Sequence, residues 1–138
     1  MEVFAVIDTN VMVSYFLSSP DFPPNTIVEE ALGGKIIPVL SPYLLREYYE
    51  VLHRAKFEAY SSEVDDLLEK IESLGVNIEL IDSLGILLPD TQDEPIFELA
   101  LATRDVGSFL ITGNTKHFPA DDFVMTPREM AGLLSILP

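Results

Sequence analysis

Short continuous runs of apolar residues alternate along this chain with longer segments in which apolar residues recur every three or four positions. The continuous runs predict five strands buried on both faces: Val3–Ile7, Ile36–Leu40, Val76–Ile81, Ser108–Ile111 and Phe123–Met125. The segments between them have helical spacing. This alternation is typical of a parallel sheet covered by helices, so we expect a three-layer α/β/α fold with about five strands.

Start and stop signals bound the predicted helices. The first helix follows the first strand over Val11–Leu17, and the segment from Ser18 to Asn25, which contains Pro20, Pro23 and Pro24, is predicted to be a loop. Thr26 and Glu29 have capping-box spacing before Gly33-Gly34, which predicts a short helix between these signals. The remaining helices are predicted from Pro42 to about Ala55, over Ser62–Leu74, from near Asp93 to Asp105–Gly107, and from Pro127 almost to the C-terminus, where Thr126 and Glu129 form a second capping box.

Length and composition narrow the class of protein. The chain has 138 residues, which favours a single domain spanning residues 1–138. No apolar run is long enough to span a bilayer, and the N-terminus does not resemble a signal peptide, so we expect a soluble, cytoplasmic protein without a membrane partner. The absence of cysteine excludes thiolate metal sites, thiol nucleophiles and disulfides.

The charge balance argues at first against a nucleic-acid binder. Eight basic residues stand against 23 acidic ones, for a net charge of −15, whereas affinity for phosphates comes mainly from Lys and Arg. Two features permit such binding nevertheless. Cations held by carboxylates invert the local charge, and Arg46, His53, Arg54 and Lys56 lie within one short segment.

Polar residues follow two of the predicted strands directly. Asp8-Thr9-Asn10 follows the first strand, and Thr112-Gly113-Asn114 follows the fourth. The carboxyl edge of an open α/β sheet is where ligands bind. Two interpretations stay open at both places, because short polar side chains also cap helices and build turns.

Two further acids lie at helix edges. Glu47 lies on the margin of an apolar helical face, and Asp93 lies where the next-to-last helix begins. An ordinary solvated glutamate and an ordinary helix cap are the competing interpretations. Taken together, these oxygen donors would surround one end of a parallel sheet and would suit Mg²⁺ or Mn²⁺ rather than zinc.

Four stretches give the chain a resemblance to PIN-domain ribonucleases, specifically the bacterial and archaeal toxins of toxin–antitoxin pairs. They are residues 6–11, 41–47, 89–100 and 110–119, so the resemblance covers essentially the whole chain. The first and last are fairly specific to the family, and the middle two are less so. The resemblance implies a parallel sheet between helices and metal-dependent endonucleolytic cleavage of RNA.

The resemblance also implies roles for individual residues. Asp8, Glu47 and Asp93 would be catalytic and would ligate Mg²⁺ or Mn²⁺, with Asn114 as a fourth catalytic position. Many relatives carry Asp where this chain has Asn114, and an amide brings no negative charge, so we expect one firmly held ion and at most a weak second one. Substrate positioning is expected of six residues: Thr9, Asn10, Thr112, Arg46, Arg54 and Lys116.

The leading hypothesis is therefore a Mg²⁺- or Mn²⁺-dependent endoribonuclease whose partners are RNA, a cognate antitoxin protein and further copies of itself in a homodimer or higher homo-oligomer. The antitoxin and the self-association are implied by the resemblance alone. The alternative hypothesis is a catalytically weak or inactive PIN-like module that binds a protein or RNA partner. It is motivated by Asn114 and by the acidic balance, which favours a basic partner surface.

Overall fold

The computed structural model describes residues 1–80 and 84–138. The strands are β1 (Val3–Ile7), β2 (Ile36–Leu40), β3 (Val76–Asn77), β4 (Phe109–Ile111) and β5 (Val124–Met125). The helices are α1 (Thr9–Leu17), α2 (Pro23–Leu32), α3 (Pro42–Leu52), α4 (Ser61–Leu74), α5 (Glu94–Ala102) and α6 (Pro127–Ile136). Short 3-10 helices cover Ala55–Tyr60, Thr91–Asp93, Arg104–Val106 and Thr115–His117.

The strands form one parallel sheet in the order β3-β2-β1-β4-β5. Helices flank this sheet, so the predicted three-layer α/β/α fold is confirmed. Within the described residues, no helix combines the length and apolar character needed to cross a lipid bilayer.

The order of the strands locates a crevice at the end of β1. The chain runs outward from β1 to β2 and β3, then returns to place β4 on the other side of β1. The strand order therefore reverses between β1 and β4, and ligands of open α/β sheets bind outside the carboxyl ends of the strands at such a point. Ile7 pairs with Ile111 in the register of these strands. Asp8 and Thr112, the next residues, consequently lie side by side.

The buried core holds this edge in place. Ala5, Val6 and Ile7 of β1 are at most 1% exposed, as are Leu110 and Ile111 of β4. These continuous apolar strands are covered on both faces, as their sequence predicts.

Helix α3 is tied to the end of β1 by a buried tyrosine. Tyr48 is fully buried, and its hydroxyl donates a hydrogen bond to the carbonyl oxygen of Ile7. Because Glu47 precedes Tyr48 on the same helix, this bond fixes the position of Glu47 relative to Asp8.

Several predicted helix boundaries are wrong. Helix α1 begins at Thr9 rather than Val11, and α5 ends at Ala102 rather than at Asp105–Gly107. Helix α2 begins at Pro23, three residues before the predicted capping box at Thr26, and no side chain among the described residues caps it. Proline is preorganised for the first helical turn, so Pro23 and Pro24 begin the helix instead of belonging to a loop. Helix α3 ends at Leu52 rather than near Ala55, and a tighter 3-10 helix follows it.

The third strand is shorter than predicted. It covers Val76–Asn77, and Ile81, the last residue of the predicted strand, lies outside the described residues. Both residues of this edge strand are exposed. A very short edge strand limits pairing with other chains.

Candidate active site

Asp8 lies at the carboxyl end of β1 with both oxygens hydrogen-bonded. Oδ1 accepts from the backbone N–H of Thr9 at 2.8 Å, and Oδ2 accepts from the Thr112 hydroxyl at 2.8 Å. Asp8 therefore caps α1 and also contacts β4, so the two interpretations of this residue are compatible. Burial raises the pKa of the Asp8 carboxyl; the hydrogen bonds from Thr112 and Thr9 oppose this, and the charge of Asp93 adds to it.

Asn10 joins the two polar turns that follow β1 and β4. Its amide nitrogen lies 3.3 Å from Asp8 Oδ2 and 3.4 Å from Thr112 Oγ1. Its amide oxygen accepts from the backbone N–H of Gly113 at 3.0 Å, and the backbone N–H of Asn114 donates to Thr112 Oγ1 at 3.0 Å. These bonds orient Asp8, which is a structural task that the predicted substrate-positioning role of Asn10 did not include.

Glu47 approaches Asp8 from α3. It is half-buried, and burial followed by the charge of Asp8 raises the pKa of its carboxyl to about 7, with Asp93 and Asp90 adding to the shift. The Thr9 side chain lowers the pKa but does not reach hydrogen-bond geometry. Glu47 is therefore close enough to both other predicted acids for their charges to disfavour its ionisation.

Asp93 lies immediately before α5, and its carboxylate does not cap that helix. Asp90 caps the preceding 3-10 turn instead, by accepting from the N–H of Gln92 at 2.9 Å. The Tyr43 hydroxyl of α3 donates to the Gln92 carbonyl at 3.0 Å, which ties the segment before Asp93 to the helix that carries Glu47. Burial raises the pKa of Asp93, the charge of Asp90 adds to this, and His117 opposes it.

His117 belongs to this site, although the sequence analysis gave it no role. Its Nδ1 lies 3.4 Å from Asp93 Oδ2, within ion-pair distance. The available signal was its position shortly after the polar turn that follows β4. A histidine so placed is held at the same edge of the sheet as the acids. Tyr48 was also missed, because an apolar helical pattern does not reveal a buried hydroxyl.

Three oxygens of the site are buried and complete no hydrogen bond with a described residue: Thr9 Oγ1, Glu47 Oε2 and Asp93 Oδ2. Of these, Asp93 Oδ2 has the 3.4 Å ion-pair contact with His117. A buried polar atom without a partner costs about 1–3 kcal/mol. A hydrated divalent cation would supply the missing partners, and hard carboxylate and hydroxyl oxygens are the donors that Mg²⁺ and Mn²⁺ take.

The acids do not form a closed group of ligands. Across residues 1–80 and 84–138, no three Asp, Glu or His side chains are already gathered around one metal position. Mg²⁺ usually binds through one or two carboxylates and keeps several waters. The donor set therefore fits a cation held directly by some of these acids and through water by the rest.

A cavity of about 300 Å³ adjoins Glu47 and contains two of the predicted basic residues, Arg46 and Arg54. Neither guanidinium pairs with a carboxylate among the described residues, although Glu50 lines the same cavity. Lys116 lines a different cavity, of about 530 Å³, next to β5. The structure thus brings Arg46 and Arg54 together in the cavity next to Glu47 and places Lys116 in another cavity.

Residues 5–116 match the sequence profile of the PIN domain family, which covers well over half of the chain. The chain belongs to the PIN domain family. The matched range contains Asp8, Glu47, Asp93, Thr112 and Asn114, which are the predicted residues at this edge of the sheet. PIN domains are generally nucleases and typically use a divalent metal. A comparison with curated proteins finds no match.

Proposed function

We propose that this PIN-domain protein is an endoribonuclease that hydrolyses RNA phosphodiester bonds with a Mg²⁺ or Mn²⁺ ion held by Asp8, Glu47 and Asp93. The observation that carries the proposal is the set of buried oxygens near Asp8 that complete no hydrogen bond with a described residue, which belong to Thr9, Glu47 and Asp93. When bound, the cation would lower the pKa of a water and stabilise charge on the phosphate in an in-line displacement.

The remaining residues would shape the site around the scissile phosphate. Thr112 and Asn10 hold Asp8 in one orientation through the hydrogen bonds to its Oδ2. Asn114, whose backbone is fixed by Thr112, would direct water with its exposed amide. Residues that orient a metal ligand through hydrogen bonds typically contribute about 10–100-fold to metal affinity or activity.

The basic residues would bind the RNA backbone. Arg46 and Arg54 line the cavity next to Glu47, so they would contact a phosphate adjacent to the one being cleaved. Lys116, in its separate cavity, would contact the strand farther along. Thr9, whose buried hydroxyl completes no hydrogen bond with a described residue, would complete the cation's surroundings.

Cleavage of a fluorescent RNA in Mn²⁺ tests the proposal. We expect the wild type to cut the RNA and EDTA to stop the reaction. Asp8→Asn should lower the cleavage rate at least about 100-fold, which exceeds the loss typical of removing a residue that only orients a metal ligand. Asp66→Asn is the matched control, because Asp66 is exposed on α4. Equal cleavage by the Asp8→Asn protein, at equal purity and thermal stability, would refute the proposal.

In the cell, we propose that the enzyme acts in the cytoplasm as the toxin of a toxin–antitoxin pair and that it forms homodimers or higher homo-oligomers. This step rests on the family likeness. Induced expression should arrest growth with wild type and not with Asp8→Asn, and the product of the adjacent open reading frame should relieve the arrest and co-purify. Light scattering gives the number of subunits.

A second candidate is a PIN-like module that binds RNA or protein with little catalysis. Two observations favour it: Asn114 in place of an acid, and the lack of a closed ligand group among the described residues. This candidate predicts RNA binding that Mn²⁺ does not strengthen and no cleavage in any divalent metal. Wild-type cleavage that chelation abolishes would exclude it.

A further inference from the structure

A second cavity, of about 210 Å³, adjoins the Asp8 side of the site and differs from the one that holds Arg46 and Arg54. Asn10, Ser14, Asn114, Pro24 and Pro127 contribute to its wall, and none of the described residues that line it is charged. Asn10 connects it to the acids, because its amide nitrogen lies 3.3 Å from Asp8 Oδ2. A ligand in this cavity would therefore lie one side chain away from the proposed cation.

Two hydrogen-bonding side chains in this cavity are unused. Within the described residues, neither the Ser14 hydroxyl nor the Asn114 side-chain amide has a hydrogen-bond partner. Ser14 contributes only its backbone carbonyl, to Ser18, and Asn114 contributes only backbone groups. Pro24 and Pro127 add apolar surface. The cavity thus offers hydrogen-bonding groups together with apolar contacts.

These properties exclude some ligands. A phosphate is disfavoured because the described residues that line the cavity provide no positive charge and the cavity lies beside Asp8. A cation is disfavoured because the same residues include no carboxylate. Its volume is also below the ~300 Å³ at which pockets for drug-sized ligands begin. An uncharged planar group with hydrogen-bonding edges fits, and the bases of single-stranded RNA are recognised through such edges.

We propose that this cavity receives the base of a nucleotide next to the cleaved bond and sets the sequence preference of the enzyme. The Ser14 hydroxyl and the Asn114 amide would read the edge of the base, while Pro24 and Pro127 would contact its faces. This inference rests on the proposed ribonuclease function. It assigns phosphate binding to the cavity beside Glu47 and base recognition to the cavity beside Asn10.

Ser14 provides the cleanest variants, because its side chain lies outside the proposed catalytic set and makes no hydrogen bond to a described residue. Ser14→Ala removes the hydroxyl and Ser14→Leu fills the cavity. Ser62→Ala and Ser62→Leu are the matched controls, since Ser62 is exposed on α4. Thermal unfolding of all four variants verifies that they fold.

The first measurement is the base preference during cleavage of an RNA pool randomised on both sides of one bond. We expect wild type to prefer a base at one flanking position. Ser14→Ala should weaken that preference about 2- to 10-fold, as expected for one hydrogen bond, and Ser14→Leu should abolish or change it. An unchanged preference in both folded Ser14 variants would overturn the inference and leave the ribonuclease proposal intact.

The second measurement needs neither metal nor cleavage. RNA hexamers of each single base are titrated in EDTA, and the backbone amides of Gly113 and Asn114 are followed by NMR. We expect shifts that differ between the four bases and that are lost in Ser14→Leu but kept in Ser62→Leu. Identical shifts for all bases, or no shift at these amides, would overturn the inference. Base-specific shifts without metal-dependent cleavage would support the pocket and reject the nuclease.

Discussion

The two halves of the candidate site differ in how completely the protein satisfies its own polar groups. At the ends of β1 and β4, Asp8 accepts hydrogen bonds on both oxygens, and Thr112 and Asn10 link the two turns. Where α3 and α5 approach, Glu47 and Asp93 each keep a buried oxygen without a partner among the described residues. We name these the closed half and the open half.

This difference separates stability from function. Hydrogen bonds in the closed half stabilise the fold whether or not a ligand is present. In the open half, the buried carboxylate oxygens without a hydrogen bond to a described residue cost free energy in the metal-free protein, and that cost is recovered when a ligand binds. The two halves should therefore respond differently to substitution.

The largest effect is expected in the open half. Asp93→Asn and Glu47→Gln should each lower RNA cleavage at least about 100-fold, because each removes a charge from the cation's donors. The free energy of unfolding without metal should stay the same or rise, since each variant removes a buried carboxylate whose ionisation is disfavoured. Cleavage rates and urea unfolding in EDTA measure both effects. A large loss of stability in either variant would contradict the distinction between the halves.

A smaller loss of activity, accompanied by a loss of stability, is expected from the hydroxyl that holds Asp8 in the closed half. Thr112→Ala removes the hydroxyl that binds Asp8 Oδ2. It should destabilise the protein by about 1–3 kcal/mol by leaving a buried carboxylate oxygen underbonded, and it should weaken Mn²⁺ binding about 10–100-fold. Thr112→Ser keeps the hydroxyl and should therefore retain most of the stability and most of the Mn²⁺ affinity. If Thr112→Ala left stability unchanged, the closed half would not be structural.

A pH dependence is expected from Glu47. Its pKa of about 7 means that a proton must leave before the carboxylate can bind a cation. Because the ionised fraction of this carboxyl rises about tenfold between pH 6 and pH 8, we expect the Mn²⁺ affinity to rise about tenfold over the same range. Calorimetric titration at several pH values measures it. Glu47→Gln should flatten the dependence, and a dependence of equal size in that variant would assign it to another group.

The same shift predicts the opposite trend for stability without metal. The folded-state pKa of Glu47 is raised above its ordinary value of 4.5, so the protonated carboxyl favours the folded state. This contribution to the free energy of unfolding is complete below pH 4.5 and is lost as the pH rises through about 7. Relative to Glu47→Gln, wild-type protein in EDTA should therefore become less stable across this range.

The smallest effect is expected outside the site, at an exposed pair. His53 Nε2 lies 2.7 Å from Asp65 Oδ1, and this hydrogen bond, followed by that to the Tyr49 carbonyl, raises the pKa of His53. The pair contributes little because it is exposed, and its contribution is lost as the pH rises through the raised pKa. In NMR titrations, Asp65→Asn should lower the midpoint of His53 and Asp66→Asn should not. Equal midpoints would contradict this assignment.

The closed half was the more predictable part of the molecule. Continuous apolar runs predict the buried strands that Asp8, Thr112 and Asn114 follow. Parallel strands bring their carboxyl ends to one edge of the sheet. The exact bounds of β1 and β2 were predictable for the same reason. The capping box at Thr126 and Glu129 was also predictable, because the residues that form it are three positions apart in the chain.

The open half depends on contacts that a local pattern does not contain. Placing Glu47 next to Asp8 requires the bond from Tyr48 to Ile7, and placing Asp93 requires the bond from Tyr43 to Gln92. The contact between His117 and Asp93 is likewise long-range. The wrong start of α2 has a local cause: two prolines were assigned to a loop although proline also begins helices.

The most direct test of the account is the anomalous scattering of Mn²⁺ in crystals of the wild-type protein. The account predicts one strong peak at the carboxyl end of β1, coordinated by oxygens from at least one of Asp8, Glu47 and Asp93, with waters linking the others. Peaks only at other surface acids, or no peak at saturating Mn²⁺, would contradict it.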